Sequence, residues 1–208
     1  LIGDSHAGHY GSVMTNLASK KEFNFVMHPQ VYGINVRNKK SKENILVPLR
    51  EYKKDFKKGD IIIFSGHPSK YTRKENWTKH YETFMQETKN YGMKFILISP
   101  TPSFSGVRGG YTCQEEWYRP SWAISSFCFG EIKKSEWFAS NSVSIANIKK
   151  FLLANPNVSY IDAFSILCPD SYCKNHDQKI LSYKDSSHLT SYSAMKLKNT
   201  IETFIWSK

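Results

Sequence analysis

Short runs of apolar residues alternate along the chain with segments in which apolar residues recur at helical spacing. Three runs have strand length and end at polar or turn-forming residues: 61–64, 95–98 and 158–161. Nearly continuous apolar runs are typical of strands covered on both faces, as in parallel sheets. Two further apolar residues before Gly3 predict a very short opening strand.

Helical spacing is found in four other segments, which are 10–17, 77–85, 145–152 and 195–204. Gly92 follows the second segment and Pro156 follows the third, and both residues are typical of helix ends. The alternation of strands and helices predicts a three-layer α/β/α domain with a mostly parallel central sheet. A chain of 208 residues fits a single domain over 1–208.

Residues 101–136 interrupt this alternation with a segment rich in Trp, Tyr, Gly and Pro. Long loops are uncommon unless they are functional, and ligands of such folds bind beyond the carboxyl ends of strands. We therefore expect this insertion to form one wall of a substrate site. Its aromatic residues either stack on sugar rings or pack the loop onto the sheet, and three are candidates: Trp117, Tyr118 and Trp122.

The composition excludes a disordered chain and gives no sign of a membrane-spanning run, but it does not identify a binding partner. With 40% hydrophobic and 14% aromatic residues the chain is not disordered, and no apolar run approaches the roughly 20 residues that span a bilayer. The start at Leu1 suggests a domain cut from a longer chain, with a processed N-terminus as the alternative. The net charge of +11 is spread over several lysine clusters without a nucleic-acid motif. An acidic glycan or an anionic membrane surface suits it at least as well, and no nucleic acid is expected.

Candidate chemistry lies near the two ends of the chain. Gly3-Asp4-Ser5-His6 follows the opening strand, where a serine hydroxyl would lie at the mouth of the sheet. Taken alone, Ser5 is better explained as a helix cap than as a nucleophile. Asp185 and His188 lie three residues apart before the last helix. His188 would supply a general base, and Asp185 would orient it. The alternative for that pair is a turn with a solvated histidine.

The Gly-Asp-Ser-His block and the Asp-Ser-Ser-His-Leu-Thr block at 185–190 resemble the SGNH (GDSL-like) hydrolase superfamily. More narrowly, they resemble the SGNH domains attached to bacterial membrane acyltransferases that O-acetylate surface polysaccharides. The resemblance implies Ser5 as nucleophile, His188 as general base and Asp185 as its orienting carboxylate. It also implies an oxyanion hole made by the Ser5 N–H, a glycine and an asparagine. Gly33 is the candidate glycine, and His67 stands where the asparagine is expected.

From this resemblance we expect an O-acetyltransferase that moves an acetyl group to a polysaccharide hydroxyl through an acetyl-serine intermediate. A membrane acyltransferase domain of the same parent chain would deliver the acetyl group at the periplasmic or extracytoplasmic face of a bacterial inner membrane. A free-standing carbohydrate acetylesterase and a glycan-binding module with a weakened site are the alternatives. No cofactor is expected.

Four cysteines allow three pairings. Sequence proximity favours Cys113 with Cys128 and Cys168 with Cys173, and such pairs would indicate an oxidising compartment. Zinc is the alternative, with His176 near Cys173, but the chain has no C-x-x-C motif and no metal is expected.

Overall fold

The computed structural model describes residues 1–21, 23–27, 52–72, 77–105, 107, 113, 128–177 and 180–206. The strands are β1 (Ile2–Gly3), β2 (Ile61–Ser65), β3 (Lys94–Ile98), β4 (Glu131–Lys133), β5 (Val158–Ile161), β6 (Tyr172–Lys174), β7 (His176–Asp177) and β8 (Ile180–Leu181). The α-helices are α1 (Gly11–Lys21), α2 (Trp77–Thr88), α3 (Lys134–Ser140), α4 (Ser142–Ala154), α5 (Ala163–Leu167), α6 (Ser191–Met195) and α7 (Lys198–Trp206). Within the described ranges, 3₁₀ turns lie at Ala7–Tyr10, Lys53–Asp55, Pro68–Tyr71 and Lys89–Tyr91.

The central sheet has four parallel strands in the order β1-β2-β3-β5. Side chains alternate between its faces along each strand, so Phe64 and Ile63 belong to different layers of the core. Phe64 packs with α2 and α4 and stacks on Tyr81 at a centroid distance of 4.0 Å. Ile63 packs with α1, α6 and α7 on the opposite face. The predicted three-layer α/β/α fold with a parallel central sheet is confirmed.

Helix ends follow the residues that the sequence analysis identified. Gly92 has a left-handed φ of +62° directly after the turn that follows α2, a conformation that glycine adopts without strain. Helix α4 ends at Ala154, just before Asn155 and Pro156. These two predictions from local chemistry are therefore confirmed.

One boundary differs from the prediction. The last helical segment is two helices, α6 and α7, because the N–H groups of Lys196 and Leu197 bond three residues back and form a turn. Near the end of the insertion predicted over 101–136, residues 131–133 form β4 and α3 begins at Lys134. Strand β4 pairs antiparallel with β6, with Ile132 opposite Cys173. The three residues of β4 could not predict this pairing, because the partner strand lies far along the chain.

Candidate active site

The first strand approaches its neighbour so closely that only glycine fits at its end. Gly3 is in register with Ser65 of β2, and a Cβ on Gly3 would lie 1.9 Å from the Ser65 carbonyl oxygen and 2.5 Å from Ala7 Cβ. Since parallel strands end at the same edge, the residues after Gly3 and after Ser65 meet there. The loop carrying Ser5 therefore lies beside the loop carrying His67.

A buried carboxylate ties these two loops together. Asp4 is 6% exposed; its Oδ1 accepts the His6 N–H at 2.9 Å and its Oδ2 accepts the His67 N–H at 3.0 Å. Bonds to both loops hold Ser5 in a tight turn before the 3₁₀ segment. The sequence analysis did not assign this role to Asp4, because its bond to His67 depends on the register of β1 with β2.

The loop that carries Asp185 and His188 is closed by a small antiparallel hairpin. Tyr183 bridges to Leu189, and the Lys184 N–H donates to the His188 carbonyl at 2.7 Å. Below it lies a small apolar cluster made of Phe104, Trp137, Phe164, Cys168, Cys173, Tyr183 and Leu189. The hairpin and the cluster fix the loop by backbone pairing and packing, so its side chains stand on a rigid base.

Three predicted site residues come together at this edge of the sheet. Ser5 Oγ lies 2.7 Å from His188 Nε2, and His188 Nδ1 lies 2.7 Å from Asp185 Oδ2. The pairing joins residues 183 positions apart in the chain. The side chains of His188 and Asp185 remain 34% and 46% exposed, so solvent and ligands reach them.

The protonation of this chain of groups follows from the hydrogen bonds of Asp185. Burial raises its pKa, but the N–H donors of Ser187 and His188, at 2.8 and 2.9 Å from Oδ1, and the His188 ring together outweigh burial and hold the pKa below its usual range. Asp185 is therefore ionised at neutral pH and accepts the proton of His188 Nδ1. The lone pair of neutral His188 is then on Nε2, which accepts from the Ser5 hydroxyl.

His67 is held in one tautomer by its own turn. Its Nδ1 accepts the Ser69 N–H at 3.2 Å, with the Ser69 hydroxyl 2.8 Å away. A backbone N–H only donates, so Nδ1 carries no proton in the neutral ring and Nε2 does. The His67 ring lies beside the serine loop, with its centroid 4.8 Å from that of His6. The other predicted oxyanion residue, Gly33, lies outside the described residues.

Two further histidines adjoin the site, and the sequence analysis did not single them out. The His6 ring is 4.6 Å from that of His9, 4.8 Å from that of His67 and 5.2 Å from that of His188. Burial, reinforced by the neighbouring imidazoles, lowers the pKa of His6 far below its usual range; burial is also the main cause that lowers the pKa of His9 to about 3. Both rings are neutral at physiological pH. A signal for them was available in the H-x-x-H spacing directly after Ser5.

Three of the described histidines could together hold a metal ion. His6, His9 and His188 each offer a ring nitrogen, and these three nitrogens all lie within 4.8 Å of one another. The predicted disulfides are both present, joining Cys113 to Cys128 and Cys168 to Cys173. None of these four cysteines is therefore available as a thiolate ligand.

A groove runs from His67 along the amino-terminal end of α4. It has a volume of about 690 Å³, and its walls include Thr72, Asn141, Val143 and Ser144. Apart from His67, none of the described residues that line it carries an ionisable side chain. The predicted aromatic wall, Trp117, Tyr118 and Trp122, lies outside the described residues.

The chain is an α/β/α domain in which a parallel sheet lies between two helical layers. At the carboxyl edge of this sheet, Ser, His and Asp side chains are joined by hydrogen bonds in the arrangement that serine hydrolases use. The family model described as the SGNH domain (fused to AT3 domains) matches residues 1–203, and the chain belongs to this family. The family links the chain to acyltransferases and hydrolases. No curated protein matches the sequence. Among the helices that the structure describes, none has the length and apolarity to cross a membrane.

Proposed function

We propose that this chain is an O-acetyltransferase domain that carries an acetyl group on Ser5 and passes it to a hydroxyl of a bacterial surface polysaccharide. The observation that carries the proposal is the continuous hydrogen-bonded path from Ser5 Oγ through His188 to Asp185, with both bonds at 2.7 Å. A serine hydroxyl becomes a nucleophile when a base accepts its proton and a third group orients that base.

In the first half-reaction, Ser5 Oγ attacks the carbonyl carbon of an acetyl donor while His188 Nε2 takes the hydroxyl proton. The Asp185 carboxylate stabilises the resulting imidazolium through Nδ1. Collapse of the tetrahedral intermediate breaks the bond to the leaving group, which takes the proton from His188. Acetyl-Ser5 remains. In the second half-reaction, a sugar hydroxyl gives its proton to His188 and attacks the carbonyl carbon of acetyl-Ser5. Collapse of this second intermediate breaks the bond from Ser5 Oγ to the acetyl carbon, His188 returns the proton to Ser5 Oγ, and the sugar leaves as its acetyl ester.

The oxyanion that forms in each half-reaction needs N–H donors. Among the described residues, the Ser5 N–H donates to no protein acceptor and is free for this task. The Nε2–H tautomer of His67 supports its assignment as a second donor in place of an asparagine. Gly33 remains the proposed third donor.

The acetyl donor is proposed to come from an AT3-type membrane domain of the same parent protein, on the extracytoplasmic side of the bacterial inner membrane. The family description, fused to AT3 domains, supports the partner domain. Two disulfides support an oxidising compartment such as the periplasm. The lining of the groove suits sugar hydroxyls, because it presents hydroxyl and amide groups.

A carbohydrate acetylesterase is the second candidate, and the 34% exposure of the His188 side chain favours it. Water that reaches this imidazole would attack acetyl-Ser5 and release acetate, which is hydrolysis. The two candidates separate when one acetyl ester is offered with and without an oligosaccharide acceptor. An acetylated sugar product supports transfer, whereas acetate alone at every acceptor concentration supports the esterase.

Hydrolysis of a chromogenic acetyl ester tests the serine chemistry common to both candidates. Ser5→Ala and His188→Gln are expected to lower kcat by about 10³-fold or more, because each removes a member of one catalytic unit. His176→Gln is the matched control, since this histidine lies on the separate β7–β8 hairpin. Equal activity in Ser5→Ala and wild type would contradict the proposal.

A further inference from the structure

Two imidazoles next to the proposed catalytic histidine have a buried nitrogen with no hydrogen-bond partner among the described residues. His6 and His9 are 3% and 8% exposed, and this nitrogen is Nδ1 in each ring. Leaving a buried polar group unsatisfied destabilises a fold, so two of them side by side need a reason. The chemistry of the Ser5, His188 and Asp185 side chains uses neither ring.

The three rings that surround this point have the spacing of a metal site. Ring centroids are 4.6 Å apart for His6 and His9, 5.2 Å for His6 and His188, and 5.4 Å for His9 and His188. Three imidazoles on one tetrahedral zinc ion, with Zn–N bonds of about 2.0–2.1 Å, have centroids about 5.2 Å apart. The observed distances between the ring centroids already match this value. Rotation of the rings would bring their nitrogens, which now lie within 4.8 Å of one another, to the spacing that the ion requires.

We propose that His6, His9 and His188 form a binding site for a divalent zinc ion, and that the bound ion inhibits the chemistry at Ser5 by occupying the general base. Imidazole nitrogen is a preferred ligand of zinc, and three histidines with an open fourth position form a known type of zinc site. The ion enters from the side of His188, whose side chain is 34% exposed.

Binding requires few other changes. Within the described part of the chain, the His9 ring accepts one hydrogen bond, from the Leu189 N–H at 3.4 Å, and this bond is long and weak. His188 Nε2 exchanges the Ser5 hydroxyl for the ion, which leaves Ser5 without a base.

A cobalt titration of the metal-free 208-residue chain tests the site without reference to catalysis. Co²⁺ in a tetrahedral site absorbs visible light strongly, and Zn²⁺ competes for the same position. We expect one Co²⁺ per chain, a tetrahedral spectrum and its loss on addition of Zn²⁺. His188→Gln is expected to weaken binding by at least about 100-fold, because even the removal of outer-shell partners costs 10–100-fold in metal affinity.

His188 is partly exposed, so this variant is expected to fold, and His9→Gln with an unchanged melting temperature is the second ligand variant. His176→Gln is the control, expected to bind within about 3-fold of wild type. Absence of a tetrahedral spectrum, or equal binding by wild type, His188→Gln and His9→Gln, would overturn the site.

The inhibition rests on the proposed function, whereas the binding does not. Zn²⁺ is expected to abolish hydrolysis of an acetyl ester at the concentration that displaces Co²⁺, and a chelator is expected to restore it. An active enzyme that binds Zn²⁺ at these histidines and keeps its full rate would refute the inhibition. A chain that binds Co²⁺ and hydrolyses no ester would remove the proposed function and leave the metal site standing.

Discussion

Replacing His67 tests whether an imidazole serves where SGNH domains are expected to have an asparagine. His67→Ala removes the Nε2–H donor but keeps the backbone N–H that binds Asp4 Oδ2 at 3.0 Å, so the two loops remain joined. Loss of one oxyanion donor costs about 10²–10³-fold in kcat, or about 2.7–4 kcal/mol. His67 is only half-buried, and water partly replaces it. We therefore expect the lower end, about 10²-fold.

Steady-state hydrolysis of a chromogenic acetyl ester measures this effect, and the division between kcat and KM carries the information. An oxyanion donor acts in the transition state, so the loss is expected in kcat with KM changed by less than about 3-fold. Ser69→Ala is the matched control: it removes the hydroxyl near His67 Nδ1 but keeps the N–H that sets the tautomer. It should retain kcat within about 5-fold.

His67→Gln adds a second comparison, because its amide also donates an N–H. Partial recovery of kcat relative to His67→Ala supports hydrogen-bond donation as the role of this side chain. If His67→Ala keeps kcat within about 3-fold of wild type, or if its whole loss appears in KM, the reasoning fails. His67 would then be a wall of the groove and nothing more.

Three further results are expected. Asp185→Asn should lower ester turnover by about 10⁴-fold with little change in KM, because an amide no longer holds His188 in the tautomer that accepts from Ser5; a loss below 10-fold would exclude this role. Because the folded-state pKa of Asp185 is lowered below its ordinary value, its stabilising contribution is present above about pH 4 and lost as pH falls through the folded pKa. Urea unfolding between pH 6 and pH 3 should therefore fall less steeply in Asp185→Asn than in wild type, and parallel slopes would contradict this. Gly3→Ala places a Cβ 1.9 Å from the Ser65 carbonyl, so thermal melting should drop by at least about 5 °C, and an unchanged melting temperature would show that β1 moves freely.

The sheet and its covering helices could be predicted because the signals are local. The runs at 61–64, 95–98 and 158–161 each form a strand that differs from the prediction by at most one residue at either end. The break between α6 and α7 could not be predicted, because Leu197 and Ile201 are both buried on the side of the helix that faces the sheet. A helical period continues through a turn when both pieces bury the same face.

The features of the site also divide into those with a local sequence signal and those without one. Ser5, Asp185 and His188 could be proposed because each stands in a short motif whose chemistry is recognisable. Contacts that depend on strand register, such as the Asp4 carboxylate binding the N–H of His67, have no signal within either motif.

The most direct test of the account is the detection of acetyl-Ser5. The chain is mixed with an acetyl ester, quenched in acid within the first turnovers, digested and examined by mass spectrometry, with Ser5→Ala as the control. The account predicts one acetyl group on the peptide that begins at Leu1, located on Ser5, formed in a burst and absent from the variant. Turnover by wild type without acetyl-Ser5, together with equal turnover by Ser5→Ala, would contradict it.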